Sequence, residues 1–331
     1  MSIQVSIICP TYNEEKYIAK CIESIIAQDF PIMQLEVLFV DGRSTDATRS
    51  IIANYQQQHS CIKLLDNPEK IVPFAMNKGI ANAQGEIIIR IDAHSFYPTN
   101  YVSVLVSQLV SLEVDNVGVV CKTDVLNKNK KTLAIREVLS NPFGVGNSLF
   151  RTGVDEITEV DTVPFGCYRK DVFQKHGLYD TRLIRNQDIE LNKRIKRGGG
   201  RIFLIPETFC TYYARETFRG IMKNNFQNGK WNILTVYHTK MFDSLSLRHF
   251  IPMFFVLSLF FPLGASLFYF PFILLGAFSF SMYVMLVGIL SLKLSLSKEI
   301  NFFYLFSSFI SLHVSYGIGS LAGIFNVLFK K

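Results

Sequence analysis

The sequence predicts an α/β domain, an open and mostly parallel sheet with helices on both faces, followed by C-terminal transmembrane helices. Three observations predict it. The first half of the 331-residue chain alternates short β-rich runs with helical patterns, as parallel sheets with crossover helices do. Polar clusters stand where those β-rich runs end. From His249 to Leu292, and again from Ile300 to Phe329, the chain carries no Lys, Arg, Asp or Glu.

Taken in order, Val5 to Cys9 is a first apolar strand, and Glu14 to Gln28 a helix on which Tyr17, Ile18, Cys21, Ile22, Ile25 and Ile26 make one apolar face. A strand from Leu35 to Val40, a helix from about Thr45, a strand near Ile62 to Leu65, a helix from Pro73 and a strand from Glu86 to Asp92 complete a βαβαβαβ run. Right-handed crossovers then place helices on both faces, and ligands bind beyond the carboxyl ends of the strands. Later signals are a strand around Val163 to Tyr168 and a helix from Gln187 to Arg197, ended by Gly198-Gly199-Gly200.

A spanning helix needs about 20 apolar residues. The first uncharged run therefore holds two spans with a turn around Phe270 and Pro271, and the second one long span, about three in all. Gly317, Gly319 and Gly323 leave open a break in that last run. The expected organisation is a catalytic domain over 1–212, a basic amphipathic segment over 213–249 and a membrane region over 250–329. In the middle segment Phe218, Ile221, Met222, Phe226 and Trp231 lie among basic residues.

Charge is divided along the chain in the same way. Residues 1–164 carry 14 basic and 19 acidic side chains, a net of −5; residues 165–249 carry 16 and 7, a net of +9; the remainder carries 4 and 1, a net of +3. Basic charge thus gathers just before the apolar region, where anionic headgroups or a lipid-linked phosphate would attract it. Nucleic acid is the competing partner for a basic surface, but no reader motif accompanies it, and none is expected to bind. Val5 to Cys9 is too short, and lacks the basic leader, for a secretory signal. The first domain is expected in the cytoplasm of a multi-pass membrane protein, in line with Arg248, Lys293 and Lys298, while Lys330 and Lys331 run against that orientation. Six cysteines without a CxxC pair read as buried thiols.

Three polar clusters follow strands: Pro10-Thr11-Tyr12-Asn13-Glu14, Asp41-Gly42-Arg43-Ser44-Thr45-Asp46 and Asp92-Ala93-His94. In an extended chain residues 92 and 94 share a side, so Asp92 and His94 can face one metal ion. As a bland alternative, Asp92 ends a strand and His94 is a satisfied loop histidine. Asp41 is placed to accept hydrogen bonds from a base or ribose, or simply to form an Asp-Gly turn, with Ser44 or Thr45 capping the next helix. Pro10 and Tyr12 can bracket a base while Glu14 engages a nucleotide; alternatively Glu14 and Glu15 complement a helix N-terminus. Asp188 is the candidate general base, and an acid in a first helical turn is its structural alternative.

Together these motifs, over roughly residues 3–240, resemble family 2 glycosyltransferases with the GT-A fold, an inverting group that includes membrane-bound polysaccharide synthases. Pro10 to Glu14 matches the family's opening motif, Asp41 to Asp46 its Asp-Gly-x-Ser-Thr-Asp element, and Asn77-Lys78-Gly79-Ile80 the motif before its metal strand. The resemblance implies a nucleotide-diphosphate sugar site, with a UDP-sugar as donor, formed by Pro10, Thr11, Tyr12, Glu14, Asp41, Asn77 and Asp92. It further implies a divalent cation, Mg2+ or Mn2+, at Asp92 and His94, and Asp188 as catalytic base.

Three departures stand out: His94 in place of a second metal aspartate, Gln187 in place of the glutamate before the base, and Gln227-Asn228-Gly229-Lys230-Trp231 with lysine for the arginine of the family's Gln-x-x-Arg-Trp motif. Gln187, Gln227, Lys230 and Trp231 are thereby placed on the acceptor side. The Asp-Ala-His variant with a membrane region is similar to succinoglycan-type exopolysaccharide transferases, which implies a lipid-linked oligosaccharide acceptor. A polyprenyl-phosphate glycosyltransferase is the second reading, and a non-catalytic sugar-nucleotide sensor or scaffold the third.

Overall fold

The computed structural model describes residues 2–241 and 249–329. Arg248, Lys330 and Lys331, which entered the orientation expectation, lie outside the described residues, as do positions 242–248 of the expected interfacial segment. The chain divides into two compact units, Met1–Lys122 with Leu149–Tyr213, and Thr123–Ser148 with Ala214–Lys331.

The elements in chain order are β1 (Val5–Thr11), α1 (Ile18–Ile26), β2 (Leu35–Asp41), α2 (Thr48–Gln58), β3 (Ile62–Asp66), α3 (Val72–Asn82), β4 (Ile87–Arg90), β5 (Ser95–Phe96), α4 (Tyr101–Ser111), β6 (Asn116–Asp124), α5 (Lys130–Ser140), α6 (Pro142–Val145) and α7 (Leu149–Thr152). There follow β7 (Thr158–Glu159), β8 (Cys167–Arg169), α8 (Asp171–His176), α9 (Gln187–Arg197), β9 (Ile202–Tyr213), α10 (Phe218–Thr239), α11 (Ile251–Ala265), α12 (Phe272–Lys298) and α13 (Phe302–Leu328).

One sheet organises the first unit, in the order β3-β2-β1-β4-β8-β6-β9-β5, with β7 also on β9. β3, β2, β1 and β4 are mutually parallel. β8 then runs antiparallel to both β4 and β6, and β5 and β7 antiparallel to β9. The parallel half matches the alternating pattern of the sequence, and the mixed half was not visible in it. Alternation of side chains sends Ile7, Val37 and Ile89 to one face, where Ile18, Ile22 and Ile25 of α1 cover them. Ile8, Leu38 and Ile88 go to the other face, under Ala75, Met76 and Ile80 of α3. Each such side chain, fully buried, contributes about 1.5–3 kcal/mol of transfer free energy.

Gly79 shows how close that second layer lies: a Cβ there would stand 2.5 Å from Ile8 Cγ2 and 3.0 Å from its Cδ1. The helix can approach β1 because Gly79 has no side chain.

Glu36 buries a charged group within this sheet. The Glu36 side chain on β2 is only 1% exposed, and accepts hydrogen bonds from Ser6 Oγ at 2.6 Å, Gln84 N at 2.6 Å and Lys63 Nζ at 2.8 Å. Burial pushes its pKa up, but these donors outweigh burial and hold the carboxyl below the usual range. Glu36→Ala is expected to cost about 3 kcal/mol, because it strands buried donors. A group whose folded pKa is depressed stabilises above its unfolded value, about 4.3, and that contribution is lost as pH falls through the folded pKa. Urea unfolding at pH 7 and at pH 3 checks both the cost and its shrinkage in acid.

In the second unit, α12 and α13 are each 27 residues long and apolar enough to cross a membrane, while α11 has 15 residues and contains Pro262. α13 is one uninterrupted helix, so its glycines mark no break. They mark contacts: a Cβ at Gly319 would strike the Phe226 carbonyl, and one at Gly317 the Pro252 carbonyl. α10 meets α13 where Gly229 lies against Tyr316 and Ser320, where Gly319 and Gly323 admit the Phe226 and Lys230 backbone, at the Asn232 amide, and through the Phe218 ring beside Tyr304.

Candidate active site

Because β1, β2 and β4 run parallel, their carboxyl ends deliver three polar loops to one edge of the first unit. The first two loops are laced together. Asn13 N donates to Ser44 Oγ at 2.8 Å, Thr45 N to Asn13 Oδ1 at 2.8 Å, and Glu14 N to Thr48 Oγ1 at 2.7 Å. Asn13 takes φ +54 and Arg43 φ +59, the left-handed conformation that asparagine tolerates better than most residues.

β4 ends at Arg90, two residues earlier than the sequence indicated, and Asp92 and His94 sit in a turn. Their side chains still meet, for a different reason from strand alternation. Asp92 N donates to Tyr97 Oη at 2.8 Å and the Tyr97 hydroxyl donates back to the Asp92 carbonyl at 3.1 Å, which closes the turn. His94 Nδ1 then lies 2.9 Å from Asp92 Oδ1 and 3.1 Å from Glu14 Oε1. The rings of Tyr212 and Tyr17 flank the imidazole, at 4.8 Å and 6.0 Å between centroids.

Burial disfavours both charged forms here, but the pair overrides it. His94 and Arg90 hold the Asp92 carboxyl below the usual range, and Asp92 and Glu14 raise the His94 pKa well above its ordinary value.

One ligand atom each from Glu14, Asp92 and His94 lie within 4.8 Å of one another. Two carboxylates and an imidazole form a donor set that fits a hard or borderline divalent cation such as Mg2+ or Mn2+. Glu14, which the sequence placed with the nucleotide, thus joins the candidate metal group.

A cleft of about 160 Å³ adjoins this group, lined by Pro10, Thr11, Tyr12, Glu14, Asp92 and His94 from among the expected residues. Asn67, Lys70 and Arg90 also line it and were not singled out by the sequence. Asn67 is 2% exposed, ties the loop after β3 to β2 by donating its N–H to the Asp41 carbonyl at 2.7 Å, and keeps its Oδ1 buried without a protein partner. An Asp-Asn-Pro sequence at the end of a parallel strand was the available signal.

Two expected nucleotide residues are engaged within the protein. Asp41 is fully buried and accepts from Ser44 N at 2.9 Å, Ser44 Oγ at 2.5 Å and Arg49 at 2.8 Å. The start of α2 is satisfied by Asp46, which accepts from Thr48 N at 3.0 Å. Asn77 clasps the backbone of Tyr179, donating to its carbonyl and accepting from its N–H, both at 2.9 Å.

Asp188 lies in the first turn of α9, and its carboxylate is paired with the Arg90 guanidinium. The Arg90 side chain is 7% exposed and that of Asp188 17%, and the Phe165 and Tyr179 rings lie 5.5 Å and 5.9 Å from the guanidinium. Burial raises the Asp188 pKa above the ordinary aspartate value, although Arg90 pulls against that rise. Gln187 beside it is buried, with Oε1 unpaired in the protein. Gln227, Lys230 and Trp231 belong to α10 of the second unit. There Trp231 stacks against His238, and Lys230 Nζ is 3.0 Å from the Asn326 side-chain amide.

Comparison with known proteins identifies a family and a fold. The family model described as Glycosyl transferase family 2 matches residues 6–177. A Methanococcus voltae protein named dolichyl N-acetyl-alpha-D-glucosaminyl phosphate 3-beta-D-2,3-diacetamido-2,3-dideoxy-beta-D-glucuronosyltransferase is 29% identical over 231 residues, 68% of this chain and 71% of its own. The succinoglycan biosynthesis protein ExoA of Rhizobium meliloti is 32% identical over 212 residues, 63% of each chain.

Among solved structures, Staphylococcus aureus TarS 1–349 superposes with a TM-score of 0.55 at 18% identity, over 97% of this chain and 91% of that one. A mannosyltransferase from Pyrobaculum calidifontis, solved with GDP-Man and Mn2+, gives 0.57 at 18% identity, over 100% and 88%. At these identities the likeness is one of fold.

Proposed function

The chain belongs to glycosyl transferase family 2 and has the GT-A fold, and on that premise we propose that it is an inverting enzyme which moves a sugar from a nucleotide-diphosphate donor, a UDP-sugar, to a lipid-linked glycan at the cytoplasmic face of a membrane. The observation that carries this reading is the meeting of Glu14, Asp92 and His94 beside the cleft at the strand ends. Pro10, Thr11 and Tyr12 line that cleft together with Asn67 and Lys70, and these are the residues assigned to the nucleotide. Asp41 and Asn77 enter as positioning residues that fix the loops around it.

In the proposed reaction the acceptor hydroxyl oxygen bonds to the anomeric carbon as the bond from that carbon to the diphosphate breaks. Asp188 takes the hydroxyl proton on its carboxylate, and the nucleoside diphosphate leaves with the electron pair. A divalent cation held by Asp92, His94 and Glu14 would supply charge neutralisation for the departing diphosphate. Arg90 holds Asp188 in place and lowers its pKa against the effect of burial.

A lipid-linked acceptor is supported by the relative named for a dolichyl phosphate-linked sugar, and glycan synthesis by the one named for succinoglycan biosynthesis. Membrane attachment is supported by α12, 27 residues long, apolar and with only 6% of its apolar window buried in the protein. Incubating membranes that contain the protein with a panel of UDP-sugars and GDP-mannose, with and without Mn2+ or Mg2+, tests the reading. Cation-dependent transfer from a UDP-sugar into a lipid-extractable product is expected. Transfer from GDP-mannose alone, or none from any donor, overturns the donor assignment.

A further inference from the structure

The relation between α10 and α13 bears on how the second unit meets a bilayer. These helices run side by side in the same direction. A Cβ at Gly319 would meet the Phe226 carbonyl, one at Gly229 the Tyr316 carbonyl, and one at Gly323 the Lys230 carbonyl at 2.7 Å. Asn232 donates to the Tyr316 hydroxyl, and the rings of Phe218 and Tyr304 lie 6.3 Å apart near the N-terminal ends. Whatever depth α13 occupies, α10 shares.

α10 carries Arg219 and Lys223, both exposed on its outer side, and Lys230. If α13 crossed the bilayer, the outer side of α10 would carry these cations into hydrocarbon, where they are strongly disfavoured. α13 is also unlike a lipid-facing span in its own right. Half of its apolar window is buried inside the protein, against 6% for α12. Ser308, His313, Ser315 and Ser320 are among its buried residues.

The α11–α12 pair has the opposite character. Its turn exposes Leu267 at 85%, Phe268 at 94% and Phe270 at 72%, and no charged residue interrupts the sequence from His249 to Leu292. The arms are fastened to one another by a 2.6 Å hydrogen bond between the Ser258 and Ser279 hydroxyls and by stacking of Phe255 on Tyr283. At the base of the hairpin, Lys298 Nζ meets Glu137 Oε1 of α5 at 2.8 Å, and Gly317 of α13 receives the Pro252 end of α11.

We propose that, among the described residues, the α11–α12 hairpin is the only part that enters the bilayer, and that α13 lies at the membrane surface with α10, its cations toward anionic headgroups, so that the chain leaves on the face by which it entered. This rests on the membrane attachment proposed above and replaces an odd number of spans with one hairpin that returns.

Sidedness tests it. In a Cys61→Ser background, Lys128→Cys on the exposed turn before α5 and, separately, Lys331→Cys are treated with a membrane-impermeant maleimide in sealed right-side-out and inverted vesicles, after an alkaline carbonate wash of a parallel sample. Retention in the washed pellet, with both thiols labelled from the same face, is the expected result. Retention with labelling from opposite faces overturns the hairpin and leaves membrane attachment standing. Release into the carbonate supernatant overturns both.

Discussion

Asp92→Asn is expected to lower sugar transfer about 10³-fold or more while leaving the fold intact. The two halves of that expectation rest on different atoms. The Asp92 main chain is held by Tyr97, whose hydroxyl bonds both its N–H and its carbonyl, and an asparagine keeps those bonds. The carboxylate is what meets His94 and stands with Glu14 in the candidate cation site. Losing about 4 kcal/mol of charge stabilisation at the departing diphosphate corresponds to that factor in rate. Initial-rate assays with the accepted donor, Mn2+ titration followed by electron paramagnetic resonance, and a thermal melt separate the outcomes. Full activity in the variant would remove Asp92 from the centre of the mechanism. A collapsed melting transition would turn it into a structural residue.

The second large effect concerns Asp188. Asp188→Asn is expected to lower the rate about 10²–10⁴-fold, the usual worth of a positioned general base. Asparagine still offers an oxygen to Arg90, which keeps the buried guanidinium from losing its partner altogether. The pH dependence carries the sharper signature. A base works ionised, and burial raises the Asp188 pKa, so the acid limb of kcat/KM is expected above the ordinary aspartate value of about 3.9. Arg90 lowers that pKa, so Arg90→Met is expected to move the limb further up and to depress activity most at low pH. In Asp188→Asn that limb is expected to disappear. A limb unmoved in Arg90→Met would assign the titration to another group.

How much of this was legible in the sequence depended on the range of the interactions involved. The parallel half of the sheet follows from local alternation and was readable strand by strand. Pairing of β8 between β4 and β6 joins segments more than forty residues apart in the chain, and no local period encodes it. At the site, Asp92 and His94 were found by position, although a turn and not an extended strand unites them. Glu14 was assigned to a nucleotide because nothing in a one-dimensional motif shows that it lies 80 residues away from His94 yet within 3.1 Å. Asn77 and Gly79 stand in a motif read for ligand contact, whereas in space Asn77 clasps Tyr179 and Gly79 admits Ile8. Asn67 was overlooked because a buried amide at a strand end resembles an ordinary turn residue.

The fit of α10 against α13 reverses the usual bearing of hydrophobicity on mutational tolerance. At Gly229, Gly319 and Gly323 each added methyl would displace a carbonyl of the neighbouring helix, so leucine, which most membrane scales would welcome, is there among the least acceptable residues. Outward positions such as Met222 carry no such limit. Sequence drift in this region should therefore be free in polarity on one side and frozen in volume on the other. Homologues that keep the helix pair will be better recognised by their spacing of small residues than by any hydropathy profile.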